Sequence, residues 1–273
     1  MKMGSLLDTL LVRPFAAEES FDPIPWQRWM REEGMLLYAI STVIYLFTIF
    51  TVQRVMKNRP RFVLRLPLAL WNIGLSVFSI VCAWRLNVAT HYILTQRGAS
   101  LHSLICECNC FHRGQTGSLW LLLFALSKLV EYGDTLFVVL RKAKLIVLHW
   151  YHHVLTYFST CYLFAYASPT VFVMAMVNTY IHSLMYPYYA LRILGVAVPK
   201  RVAMTITSIQ IIQLLVGFLV NLYAAGALFW GVPCEVDRIG LGLGLFGFGT
   251  LLILFVNFFV HSYFFGTSKN KVQ

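Results

Sequence analysis

The chain has 273 residues, 59% of them hydrophobic and 12% charged, with a mean hydropathy of +0.69, whereas an ordinary soluble domain carries about 25% charge. That balance excludes a cytosolic globular domain, a disordered segment, a collagen and a coiled coil, and points to a membrane protein. The formal charge is +11, from 22 Lys and Arg against 11 Asp and Glu.

Residues 1–34 hold Pro14, Pro23 and Pro25 among mixed charges. No basic stretch leads there into a short apolar run and a small-residue cleavage site, so no cleavable signal peptide is expected. Apolar runs then follow at about 35–53, 64–84, 118–140, 145–165, 168–191, 202–230 and 239–264, each near or above the roughly 20 residues that cross a bilayer. The predicted fold is an all-α membrane protein with seven transmembrane helices over 35–265 and a tail at 266–273. A membrane barrel would instead show alternating segments of about 10 residues.

Charge sorts the connections into two groups. Loop 54–65 carries Arg54, Lys57, Arg59, Arg61 and Arg65; loop 141–144 carries Arg141, Lys142 and Lys144; loop 192–201 carries Arg192, Lys200 and Arg201; the tail carries Lys269 and Lys271. These thirteen basic residues meet no acid, while the N-terminal segment, the 85–117 loop and the 231–238 loop hold eight basic residues, Arg85 among them, against nine acids. Basic loops stay in the cytosol, so the N-terminus is expected on the far side and the C-terminus in the cytosol. The basic face is explained equally by topology with attraction to anionic lipid, or by docking of a polyanionic substrate.

Cys82 and Cys161 fall in apolar runs and read as core residues. Cys106, Cys108, Cys110 and Cys234 fall in the non-cytosolic loops, where an oxidising compartment allows a bridge. A disulfide to Cys234 is expected, with Cys106 the first choice of partner and Cys108 and Cys110 as alternatives. The CECNC stretch lacks a complete second pair of zinc ligands, and no metal site is expected.

Ionisable residues in spanning helices are costly and usually face an internal cavity. Here they fall in stripes. Lys128, Glu131 and Asp134 repeat every three residues beside Thr135; His149, His152 and His153 stand at i, i+3 and i+4; Asn178, His182, Met185, Tyr186 and Tyr189 follow, and then Thr207, Gln210 and Gln213. Such spacings put side chains on one helical face. Counted from the cytosolic ends at about 1.5 Å per residue, all four stripes reach one layer roughly 6–17 Å below the basic surface. His91, His102, His112 and His261 form no such set. The polar amides and Thr207 also suit plain helix-to-helix hydrogen bonding, and the Lys128 group suits a structural ion pair.

Imidazole serves as metal ligand, general base or acyl-carrying nucleophile. An HxxHH box also occurs in membrane di-iron desaturases and hydroxylases, and a metal-dependent lipid desaturase or hydroxylase is the alternative reading. Those enzymes need about eight nitrogen ligands from several boxes, and one box plus His182 falls short. A seven-helix receptor would place its functional residues towards the outside, whereas these lie in the cytosolic half.

The stripes together resemble the ELO family of very-long-chain fatty acid elongases. The matching elements are KLVEYGDT at 128–135, HWYHH at 149–153, NTYIHSLMYPYY at 178–189 and TSIQIIQ at 207–213. The resemblance spans about 35–265. It implies a 3-ketoacyl-CoA synthase of the endoplasmic reticulum membrane that condenses acyl-CoA with malonyl-CoA, with six helices around a substrate tunnel and the first helix outside. It further implies that His152 accepts the acyl chain as an acyl-imidazole and that His182 binds or polarises the thioester or malonyl group. His149 and His153 would orient the site, Lys128, Glu131 and Asp134 would hold helix three on helix four, Asn178, Gln210 and Gln213 would supply hydrogen bonds, and Tyr186 and Tyr189 would line the chamber. No bound cofactor is implied. Arg141, Lys142, Lys144, Lys200 and Arg201 are candidates for CoA contacts, and HWYHH resembles the branch acting on saturated and monounsaturated chains. Lys269 and Lys271 resemble a dilysine retrieval signal. Expected partners are membrane lipid and the other enzymes of the elongation cycle, without nucleic acid, and a homodimer is left open.

Overall fold

A computed structural model describes residues 13–96 and 100–265, and among them the regular structure is helical throughout. The helices are α1 (Ala16–Ser20), α2 (Pro23–Trp29), α3 (Met35–Met56), α4 (Arg65–Gln96), α5 (Leu101–Cys106), α6 (Thr116–Val130), α7 (Tyr132–Leu140), α8 (Val147–Ala165), α9 (Thr170–Leu194), α10 (Lys200–Phe229) and α11 (Arg238–Val260). Helix suits these runs because lipid offers no partner to a backbone N–H or C=O, and a helix satisfies both within itself.

Four stretches are long and apolar enough to cross a bilayer: Pro23–Met56, Arg65–Thr95, Lys200–Phe229 and Arg238–Phe265. The chain is a multi-pass membrane protein. The other apolar runs also fold as helices, but α6, α7, α8 and α9 carry the ionisable and imidazole side chains that lower their apolarity.

The helix ends depart from expectation in three places. A π-helical turn, Met30–Gly34, joins α2 to α3, so the first long helix begins at Pro23, where Asp22 caps it by accepting from the Ile24 N–H at 3.0 Å. Helix α4 runs to Gln96, well past 84, and takes Arg85 inside the protein. The run at 118–140 breaks at Glu131 into α6 and α7.

Helix neighbours close into a ring: α4 packs on α9, α9 on α10, α10 on α11, α11 on α8, α8 on α6, and α6 back on α4. Helix α3 lies outside it against α7 and α8. A ladder of hydroxyls docks α3 there, with Ser41 on Tyr157, Thr42 on Tyr132 and Tyr45 on Thr135 at 3.2, 3.1 and 2.7 Å, and the Tyr45 and Tyr132 rings stacked.

The end of the ring on the predicted non-cytosolic side is closed by the chain's own segments. Arg85, fully buried, grips Glu18 of α1 through Nε at 2.8 Å and Nη2 at 2.5 Å, and the Phe15 ring lies 4.1 Å from its guanidinium carbon. Trp120 Nε1 and Thr116 Oγ1 also donate to the Glu18 carboxylate. Burial pushes that carboxyl up, but the bonds from Arg85, the Phe15 N–H and Trp120 outweigh it and hold Glu18 below the ordinary carboxylate range. Arg85 is therefore a buried anchor and not a loop charge. Beside this seal, a disulfide joins Cys106 at the end of α5 to Cys234.

Candidate active site

The break at Glu131 shapes the site. Gly133 follows it closely, and a methyl group on Gly133 would fall 2.5 Å from Cζ2 of Trp71, so glycine is what lets the α4 indole lie on this backbone. Trp71 Nε1 then donates to Asp134 Oδ1 at 2.6 Å, and the Tyr186 hydroxyl donates to Asp134 Oδ2 at 3.0 Å. Asp134 thus ties α7 to α4 and α9.

One turn earlier, Lys128 and Glu131 are each 3% exposed. The Lys128 ammonium donates to Glu131 Oε1 at 2.7 Å and to Asn178 Oδ1 at 2.9 Å. With its oxygen so engaged, Asn178 presents its amide N–H to His182 Nε2 at 3.3 Å, and His182 Nδ1 faces Glu131 Oε1 at 3.7 Å. This chain of contacts assigns the proton of a neutral His182 to Nδ1. Its other nitrogen is occupied as an acceptor.

On α8 the three histidines lie edge to face, His149 and His153 at 4.7 Å and His152 and His153 at 5.5 Å between ring centroids. His149 Nε2, His152 Nδ1 and His153 Nδ1 are buried with no hydrogen-bond partner. His152 stands edge to face with Phe255, 6.3 Å between ring centroids, and makes no side-chain hydrogen bond among the described residues. Among these residues no three His, Cys, Asp or Glu side chains converge as a metal-ligand set.

Two cavities meet at this layer. The wider, about 540 Å³, is lined by Glu131, Asp134, His149, His152, His153, Asn178, His182, Tyr186, Tyr189, Thr207, Gln210 and Gln213, so residues from all four sequence stripes face one space. The narrower, about 70 Å³, takes Lys128 and a mostly apolar lining from α6, α8, α9, α10 and α11. His152, Asn178 and Gln213 border both. Gln210 also reaches Met185 Sδ at 3.1 Å, while Thr207 bonds back to the Ala203 carbonyl and meets Tyr263.

The basic candidates separate. Arg141 lines the wide cavity, joined there by Arg192. Lys142 does not: its backbone has a positive φ of 55°, and its ammonium donates to the Lys57 and Arg59 carbonyls, bracing the neighbouring loop. Lys144 and Arg201 are exposed and lie off the cavity lining; Lys200 stands 5.7 Å from the ring of Tyr263, itself a lining residue. Lys269 and Lys271 lie outside the described residues. Sequence reasoning missed Trp71 and Tyr263. The signal for Trp71 was an indole N–H inside a lipid-length run, since a buried tryptophan usually finds an acceptor.

The model of the GNS1/SUR4 family, ELO, matches residues 30–271. The chain belongs to the ELO family. This ELO-family chain is 34% identical over 251 residues to very long chain fatty acid elongase 6 of Drosophila melanogaster, covering 91% of the chain and 78% of that protein. It is 34% identical over 257 residues to very long chain fatty acid elongase 6 of Homo sapiens, covering 94% and 95%, and 34% identical over 265 residues to that of Gallus gallus, covering 97% and 98%.

Proposed function

We propose that this protein is the condensing enzyme of fatty acid elongation, joining acyl-CoA and malonyl-CoA to give 3-ketoacyl-CoA, CO2 and CoA. The observation that carries the reading is the position of His152, which has no hydrogen-bond partner and stands where the wide polar cavity meets the narrow apolar one. A thioester carbonyl held there has its polar carrier in one space and its alkyl tail in the other.

In the first step an imidazole nitrogen of His152 attacks the acyl carbonyl, the C–S bond breaks, and CoA leaves as the thiol with the imidazole proton. Malonyl-CoA then loses CO2, its enolate carbon attacks the acyl group, and the acyl–nitrogen bond breaks. One proton from solvent restores His152. His182, with one nitrogen facing Glu131 and the other accepting from Asn178, is held rigidly beside His152 and serves to orient the thioester or malonyl group, while Lys128 keeps Glu131 and Asn178 in place. Arg141 and Arg192 at the wide cavity suit the CoA phosphates.

The same reading places the protein in the endoplasmic reticulum with seven crossings, a lumenal N-terminus and a cytosolic C-terminus, the six-membered helix ring enclosing the substrate tunnel. Saturated or monounsaturated chains are the proposed substrates. The test is incubation of purified protein with acyl-CoA alone. Wild type is expected to release about one equivalent of CoA, by analogy with other covalent acyl carriers, and to gain the acyl mass, while His152→Ala does neither and stays folded. An unacylated wild type that still condenses once malonyl-CoA is added would replace this scheme with direct transfer.

A further inference from the structure

The narrow cavity carries one feature that a purely hydrocarbon tail does not explain. Along α8, Thr156, Ser159 and Thr160 continue the face of His152 into it, opposite walls such as Phe124, Val171 and Leu251. A common partner for a helical hydroxyl in this protein is the carbonyl four residues back, as for Ser79, Thr90, Thr156, Thr179, Thr207 and Thr250. Ser159 does not. Its Oγ is buried without a partner, and Thr160 beside it likewise makes no side-chain hydrogen bond among the described residues. A buried hydroxyl left unpaired is unfavourable, so Ser159, with the unbonded Thr160 hydroxyl next to it in an apolar chamber, marks a place where an incoming group is expected to supply the missing bond.

We propose that Ser159 and Thr160 form a subsite for an oxygen atom carried in mid-chain, so that the protein takes hydroxyacyl thioesters. The proposal rests on the condensing-enzyme reading for the chemistry at His152, but not for the binding itself. Ser159 is seven residues beyond His152, about 10 Å along the helix, a length matched by roughly eight to ten carbons of an extended acyl chain. A hydroxyl at that point both donates to and accepts from the two side chains. A chain without it leaves both unpaired.

The experiment compares wild type with the near-isosteric double variant Ser159→Ala/Thr160→Val, using 10-hydroxyoctadecanoyl-CoA and octadecanoyl-CoA. Two quantities are read: the ratio of kcat/KM for the two chains with malonyl-CoA, and the ratio of their dissociation constants without it. Both ratios are expected to move against the hydroxylated chain by about tenfold in the variant. Unchanged ratios overturn the subsite and leave the hydroxyls as partners of trapped water. If wild type condenses neither chain, the reaction reading falls, and the dissociation constants alone still decide the subsite.

Discussion

Trp71 and Gly133 are fitted to each other: the indole of α4 lies so close over the start of α7 that a methyl group on Gly133 would meet it at 2.5 Å, and from that position its N–H reaches Asp134. Trp71→Phe keeps an aromatic ring, though a smaller one, and removes the donor, leaving Asp134 Oδ1 without its partner. The expected cost is about 1–3 kcal/mol of stability, with kcat falling more than KM rises because Asp134 and Tyr186 lose their register at the cavity wall. Gly133→Ala should cost about 1–3 kcal/mol through overpacking. Thermal unfolding in detergent with steady-state condensation separates the two effects; a Trp71→Phe protein with wild-type turnover would reduce the indole to packing.

Lys128 neutralises Glu131 where both side chains are almost fully buried. Lys128→Met should therefore destabilise the protein by about 3–5 kcal/mol by leaving a lone buried charge, and Lys128→Met/Glu131→Gln should recover much of that loss. Condensation is expected to stay lost in both, since Asn178 and His182 are no longer held. Equal destabilisation in the single and double variants would show that the two side chains do not act as an ion pair.

Acid should loosen the N-terminal seal. The Glu18 carboxyl is held below its ordinary value in the folded protein, so its contribution is fully present above the unfolded carboxyl pKa and is lost as pH falls through the folded one. Wild-type Tm should accordingly drop across pH 5 to 3 more steeply than that of Glu18→Gln, measured in the same detergent at several pH values. Parallel curves would assign the acid sensitivity to other carboxylates.

Reduction of the Cys106–Cys234 bridge should lower stability by about 2–4 kcal/mol. Cys108 stands nearby with its thiol hydrogen-bonded to the Ala167 carbonyl at 2.8 Å, and burial with help from Glu235 pushes it up to about 12. Thiolate is the attacking species in exchange, so Cys108 should leave the bridge intact. Mass mapping under non-reducing conditions checks this, and a Cys108–Cys234 linkage would contradict it.

Much of this site is written in residue spacing. Each stripe, from Lys128–Asp134 to Thr207–Gln213, names a helix face, and the faces meet because helices in a membrane have few other places to put polar groups. What spacing does not show is contact between distant segments. Arg85 counted as a loop charge because its partner, Glu18, lies 67 positions away. Trp71, in another helix, packs on Gly133 and bonds Asp134 just beyond the break at Glu131, and Lys142 was drawn from the cavity by carbonyls of a loop that nothing in its own neighbourhood announces. Helix ends shifted for the same reason, as α2 and the last turns of α4 are fixed by caps and buried anchors that an apolar count passes over.

The bridge between Cys106 and Cys234 spans 128 positions, and every residue proposed for chemistry, from Lys128 to Gln213, lies inside the covalent circle it closes. A protease that nicks a connection inside that circle, such as the basic 141–146, therefore severs the backbone without releasing a fragment. The two pieces migrate as one molecule until a reductant opens the circle, and activity surviving the nick would show that the helices hold their places without an unbroken thread between them.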